Sequence, residues 1–243
     1  MAEVYVMKVR IKFSKEGPVK FVGHLDTMRY FQKAIRRANL PVAFSGGYSP
    51  HMIMSFANPL GVGLTSDGEY FDIELTEPIA SKEAIRRLNE QMVEGMEVTG
   101  FVEIPDDKKS KGMTIVAGAD YLSIVKKGVL PEGWQKHLEH FYAQDEIFIL
   151  KTTKKSEKEV NIRPVIYDLH PQGEGIYMRV AAGSVQNLKP EPVLEAFLEY
   201  MNMLGEETDG IEFAHHRLET LANTGSEEYP DFVPLSALGT EII

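Results

Sequence analysis

The sequence contains no cysteine. Disulfides, thiolate zinc sites, iron–sulfur clusters held by this chain and cysteine nucleophiles are therefore excluded. It also lacks any run approaching the ~20 apolar residues that span a bilayer. The first residues, MAEVYVMKVRIKF, alternate and hold no uninterrupted apolar stretch ending in a small-residue cleavage site. The expectation is a cytoplasmic protein that is not exported. Several signatures of chemistry are missing too. Neither GxxxxGK[ST] nor GxGxxG occurs, GVG at 61–63 is too short to count, and there is no HExxH. No Ser-His-Asp order or carboxylate pair stands out.

What is present is an uneven charge. The chain of 243 residues is 43% hydrophobic, enough for one large domain or two small ones, and its formal charge is −10. Residues 1–60 nevertheless hold Lys8, Arg10, Lys12, Lys15, Lys20, Arg29, Lys33, Arg36 and Arg37 against Glu3, Glu16 and Asp26, nine less three, or +6. The other residues carry −16. Such asymmetry points to a local anion-binding surface on an acidic protein, or to a solvated basic helix face.

Hydrophobic periodicity divides the chain into two halves of similar build. Val4, Val6, Val9 and Ile11 alternate as in a half-buried strand. Met28, Phe31, Ile35 and Ala38 recur at helical spacing after Asp26, a good N-cap, and Pro41 ends that helix. Val42–Ser45 and Met52–Phe56 read as short strands and Glu69–Leu75 as a longer one. Ser81 is placed to cap a second helix with Ala84, Ile85, Leu88 and Met92 inward, and Met96–Ile104 reads as a strand. After the polar break PDDKKSKG (105–112) the order recurs. Strands are predicted at Tyr121–Lys126, Glu146–Thr152, Ile176–Ala181 and Ile211–Leu218, with helices over Glu132–Ala143 and Glu191–Met203. The spacing of Ile162, Val165, Ile166 and Leu169 leans helical despite Pro164. The predicted fold is α+β, with two tandem ferredoxin-like (split βαβ) units. They span residues 1–106 and 113–221 and are followed by a tail, 222–243.

The run from 20 to 51 concentrates the groups that could carry chemistry. Arg29, Lys33 and Arg37 share one helix face by i,i+4 spacing, with Arg36 about 100° from Arg37. Such a ladder repels itself by a few tenths of a kcal/mol per pair, a cost that an outside anion relieves. Asp26 either caps the helix or leaves its N-terminus to an anion. In SGGYSPH, Gly46 and Gly47 form a tight turn or a nest of N–H groups for an oxyanion, flanked by Ser45, Tyr48 and His51. His24 and His51 are candidates for an acid–base pair or for two metal ligands. A third ligand would have to be distant Asp26, Glu69 or Asp72, and no metal site is predicted. His137 and His140 read as a solvated helix face, and His215 and His216 point to opposite sides of a strand.

These residues carry a resemblance. Arg10, Phe13, Lys15, Gly17, His24, Leu25, Asp26, Arg29, Arg37, Ala38, Pro41, Ser45, Gly47, Tyr48, Pro50, His51, Gly63, Ser66, Glu69, Tyr70 and Asp72 resemble the ordered pattern of the radical SAM-linked protein family, a bacterial domain of unknown function. Gly23 stands where that family usually has serine. The match is strong over 8–75 and looser over 155–198, through Lys158, Ile162 and Arg163. The resemblance implies an accessory module, fused to or encoded beside a radical SAM protein with a cobalamin-binding type of domain. No cofactor is then expected on this chain, because the partner would carry the iron–sulfur cluster, S-adenosylmethionine and any cobalamin.

The expected function is a substrate-binding module that presents a phosphate-bearing substrate, RNA or tRNA among the candidates, to that partner. Its anion-binding surface would be built from Arg10, Lys15, His24, Asp26, Arg29, Arg36, Arg37, Ser45, Gly46, Gly47, Tyr48 and His51. The layout is also similar to repeat-associated RNA-processing endonucleases, a likeness of fold alone. Two alternatives remain: a metal-independent RNA-processing hydrolase using His24 and His51, and a structural protein–protein adaptor.

Overall fold

Alternation of apolar and charged residues makes β1 (Met7–Lys15), whose odd-numbered side chains are buried. The computed structural model describes residues 6–107, 110–153 and 156–243; Val4, Lys108 and Lys109 of the sequence reading lie outside them. The order continues α1 (His24–Arg37), β2 (Met54–Phe56), β3 (Thr65–Leu75), α2 (Ser81–Asn89), β4 (Met96–Ile104) and the single turn α3 (Gly112–Ile115). Then come β5 (Val116–Lys127), α4 (Trp134–Tyr142), β6 (Phe148–Thr153), β7 (Ser156–Asn161), β8 (Ile166–Gln172), β9 (Gly175–Ala181), α5 (Pro190–Met203), β10 (Glu212–Asn223) and β11 (Phe232–Pro234). The fold class is α+β, and among the described residues no helix is long and apolar enough to cross a membrane.

The chain forms two units, residues 1–117 with 219–243, and residues 118–218. In the first, β1 lies between β4 and β3 and is antiparallel to both, and the short β2 adds to β3. One face of this sheet is packed under α1 by an aromatic cluster. Phe13 meets Phe31 at 4.6 Å between centroids and Phe71 at 5.7 Å, and Phe56 meets Phe71 at 5.1 Å. All four rings are buried with Val9, Ile11, Ile35 and Ile73.

On the opposite face the C-terminal segment packs as part of the same unit. Leu235 is wholly buried there; the chain then pairs Thr240 with Glu103 of β4 and ends on the helical side, where Ile242 packs against the α1–α2 core and is bonded twice to Ser81. Ser81 is thus not the N-cap the sequence suggests. Ala80 precedes α2, and the Ser81 hydroxyl accepts the Ile242 amide at 2.9 Å instead. The Asp26 cap is likewise displaced: α1 starts two residues earlier, and its N-cap is Gly23.

In the second unit β5 pairs with β9 and β9 with β8, all antiparallel, and the first residues of β10 are bonded to β5 through Arg217 and Tyr121. Helices α4 and α5 bury Leu138, Phe141, Val193, Phe197 and Met201. β6 and β7 form a separate two-stranded sheet. Residues 160–169, whose spacing leans helical, run instead from β7 through one 3-10 turn, Arg163–Val165, into β8. Pro164 sits in that turn, where it lacks an N–H to donate. A register shift between Ile166 and Asp168 places Leu169 on the buried side with Ile166, three residues away. A β-bulge therefore imitates helical spacing here.

Candidate functional site

Strand β1 withdraws four of the nine early cations, Lys8, Arg10, Lys12 and Lys15. Its outward side chains meet the protein's own acids: Lys8 pairs with Asp106 and with Glu74 at 3.8 Å, and Lys12 with Glu219 at 2.6 Å. Arg10, expected on the anion-binding surface, is 1% exposed. It makes a bidentate pair with Asp72 at 2.8 and 3.0 Å and donates to the carbonyls of Leu235 and Ser110. Gly112 donates its N–H to the same Asp72 carboxylate at 2.7 Å, and a Cβ there would lie 3.0 Å from that of Ala57. Arg10 thus ties β1, β3, the 110–112 turn and the C-terminal segment together, and it has no face left for a ligand.

Lys15 is also withdrawn from the surface. It is 3% exposed and donates to the Val22 carbonyl at 2.6 Å. Burial pushes its ammonium below the ordinary lysine value, against the opposing attraction of the Glu69 carboxylate. Glu69, also 3% exposed, lines a narrow cleft with Lys15, Thr27 and His24 under the start of α1. The His24 ring packs edge-on against Phe56 at 5.0 Å. This places four of the residues that carry the resemblance, Phe13, Lys15, His24 and Glu69, in one cleft whose other walls are the apolar Phe56, Pro59 and Leu60. The sequence offers Glu69 as a distant metal ligand and as a position of the resemblance, and nothing in local spacing reveals its nearness to Lys15 and His24.

Among the cations of residues 1–60, the exposed ones are those of α1. Its buried side holds Thr27, Phe31, Ala34 and Ile35, which leaves Arg29, Lys33, Arg36 and Arg37 toward solvent. Asp26 favours the positive end of the helix and pairs loosely with Arg29 at 3.2 Å, both about two-thirds exposed. Arg36 and Arg37 complement the carbonyl end. Arg36 also lies over the Phe44 ring, 5.8 Å from its centroid, where the next loop begins.

That loop is closed by Ser45 and His51. Ser45 N donates to His51 O at 2.8 Å and His51 N to Ser45 Oγ at 3.1 Å. The hydroxyl and His51 Nδ1 are 2.8 Å apart. Phe44 and Met52 pair beneath. At the tip, Gly47 takes a left-handed φ of 97° that disfavours a side chain, and Tyr48 is fully exposed. Nothing lies within 4 Å of a Cβ built on Gly46 or Gly47, so the turn opens to solvent.

The two imidazoles do not meet. His24 packs against Phe56 of β2, whereas His51 lies in the loop ahead of β2 and is bonded to Ser45. Among the described residues no group of three His, Asp or Glu could hold a metal. In the second unit His215 bonds Ser123 at 2.8 Å, and its burial lowers its pKa against the opposing charge of Glu191. His137 lies 3.6 Å from Glu206.

Among solved structures, one chain of a Cbf5–Nop10–Gar1 complex aligns with 87% of this chain at 12% identity and a TM-score of 0.42. This chain covers 48% of that one, about half its length. An unknown protein from Galdieria sulphuraria aligns over 88% of this chain and 99% of its own at 11% identity, with a TM-score of 0.26. No curated protein matches the sequence. The family model described as "uncharacterized protein conserved in bacteria" (DUF2344) matches residues 8–190, and the chain belongs to that family.

Proposed function

We propose that this protein is an accessory, substrate-binding module that presents a phosphate-bearing substrate to a radical SAM partner, with RNA as the polyanion we favour. The observation that carries the binding half of this reading is the solvent face of α1. It presents Arg29, Lys33, Arg36 and Arg37 beside a loop whose tip is the fully exposed Tyr48. Cations that track phosphates next to a free aromatic ring are the combination that single-stranded nucleic acid uses. The open Gly46–Gly47 turn adds unencumbered backbone to the same region. The partner half rests on the sequence pattern alone. In it the iron–sulfur cluster, S-adenosylmethionine and any cobalamin belong to the partner, in keeping with a chain that has no cysteine.

We read both units as split βαβ folds of the ferredoxin-like kind, and the pairings support this. β4-β1-β3-β2 in the first unit is the order that topology requires. So is the β5-β9-β8 run of the second, with β6 and β7 inserted as a hairpin. Binding is preferred over hydrolysis because metal-independent cleavage needs two acid–base groups at one phosphate, and His24 and His51 sit apart.

The test is binding to a labelled tRNA pool over a range of salt. Four phosphate contacts predict a log–log salt slope of about −3, and Arg36→Glu with Arg37→Glu removes roughly half of it. Binding that ignores salt, or that survives both reversals, overturns the reading. Co-purification with a radical SAM protein tests the partner half separately.

A further inference from the structure

Among the described residues no strand pairs with either outer edge of the two-stranded β6–β7 hairpin, and the edge of β6 is the one beside a groove. Ile162 N donates to Ile147 O at 2.7 Å, and Ile147 N donates to the Asn161 side chain at 3.0 Å. Narrow pairs alternate by two along an antiparallel ladder, so Ile149–Val160 and Lys151–Lys158 are the next hydrogen-bonded pairs. Phe148 and Leu150 fall between them, with N–H and C=O pointing off the outer edge of β6. Among the described residues no strand pairs with that edge. Both side chains are exposed, Phe148 by 46% and Leu150 by 64%. Native proteins usually blunt such an edge with charge, proline or a cover, and the sequence FILKTT has only one lysine to do so.

Beside β6 opens a groove of about 720 Å³ lined by Ile162, Val165, Leu188 and Ala196, with Val185 almost fully exposed on its rim. The rim is charged in two places. Glu195 and Glu199 stand one turn apart on the exposed side of α5, while Lys151 and Lys189 border the groove elsewhere.

We propose that this edge and groove form a strand-addition site for an extended segment of a partner protein. That segment alternates apolar side chains and carries a basic residue for Glu195 and Glu199 and an acidic one for Lys151 and Lys189. Main-chain bonds to Phe148 and Leu150 supply the affinity, and the groove and its charged rim supply the selection. The site lies in the second unit and is independent of the cationic face of α1.

The experiment uses the full chain and a fluorescein-labelled heptapeptide in which valine alternates with threonine, with glutamate at one end and lysine at the other. Anisotropy is expected to show saturable binding that weakens about tenfold or more when the peptide is N-methylated at alternate residues, since each methyl deletes one ladder bond. Leu150→Pro removes an outward N–H while sparing the β6–β7 ladder, and it is expected to weaken binding to a similar degree with the circular dichroism spectrum unchanged. Glu195→Lys with Glu199→Lys is expected to shift preference to a peptide with glutamate at both ends. Absent binding, equal binding of the N-methylated peptide, or no change of preference overturns the proposal. So does a concentration-dependent dimer that Leu150→Pro abolishes, because the occupant would then be a second copy of this chain.

Discussion

At the residue scale, the same side-chain type does opposite work depending on what faces it. Arg10 and Arg36 are both guanidinium groups of the basic first sixty residues, yet Arg10 is spent on Asp72 and two carbonyls, and Arg36 is free for an outside anion. Asp72→Ala is expected to destabilise the protein by about 3–5 kcal/mol, because it strands a buried charge. Replacing Arg10 and Asp72 together by apolar residues of similar volume should cost much less, and urea denaturation compares the two. Lys15 adds a pH dependence. Its folded pKa lies below the unfolded value of 10.5, so the unfolded chain binds more protons between the two. Stability therefore rises with pH across that window, and Lys15→Met is expected to flatten the rise in urea midpoints. Tyr177 shifts the other way: burial, aided by Asp120, pushes its phenol up to about 12. Tyr70, Tyr142 and Tyr167 are raised by burial as well, so ultraviolet titration should show several late-ionising tyrosines, one fewer in Tyr177→Phe, and the stabilising contribution of Tyr177 is lost as pH climbs from 10 toward 12.

At the scale of elements, helix α1 has two faces with separable roles. Phe31 anchors its inner face among Phe13, Phe56 and Phe71, so Phe31→Ala should cost about 3–5 kcal/mol and abolish every function of the first unit together. Arg36→Glu with Arg37→Glu should leave the thermal midpoint nearly unchanged, since surface charges contribute little to stability, while cutting RNA affinity. That contrast distinguishes a binding face from a solvated one. The inner face of α1 was legible in the sequence, because a 3.6-residue period leaves a trace in the chain. The 160–169 segment was not. A bulge, a proline turn and two strand ends together produced a three-and-four spacing without any helix.

For the whole molecule, the C-terminal segment belongs to the first unit, although it follows the second in sequence. Leu235 fills that unit's second face and offers its carbonyl to Arg10, while Glu219 accepts from Lys12 and from Tyr70 at 2.8 Å. Deleting residues 224–243 is therefore expected to lower the melting temperature of the first unit and to make Arg10 and Tyr70 accessible, read by calorimetry and by tyrosine fluorescence quenching. The candidate site was legible only in part. The exposed cations Arg29, Lys33, Arg36 and Arg37 and the Ser45–Tyr48–His51 loop follow from local pattern. The loss of Arg10 and Lys15 to the interior, and the entry of Glu69, depend on partners far along the chain.

The sequence by itself determined the α+β composition, the order of the main elements of the first unit, the cationic face of α1 and the absence of thiol chemistry, because each is written in residue type or in short-range period. Only the tertiary structure decided which charges remain available. Coulomb pairing and burial act between residues sixty to more than two hundred positions apart, such as Arg10 with Asp72 and with Leu235. No local pattern records those meetings. The same long-range packing separated His24 from His51 and brought Glu69 to Lys15.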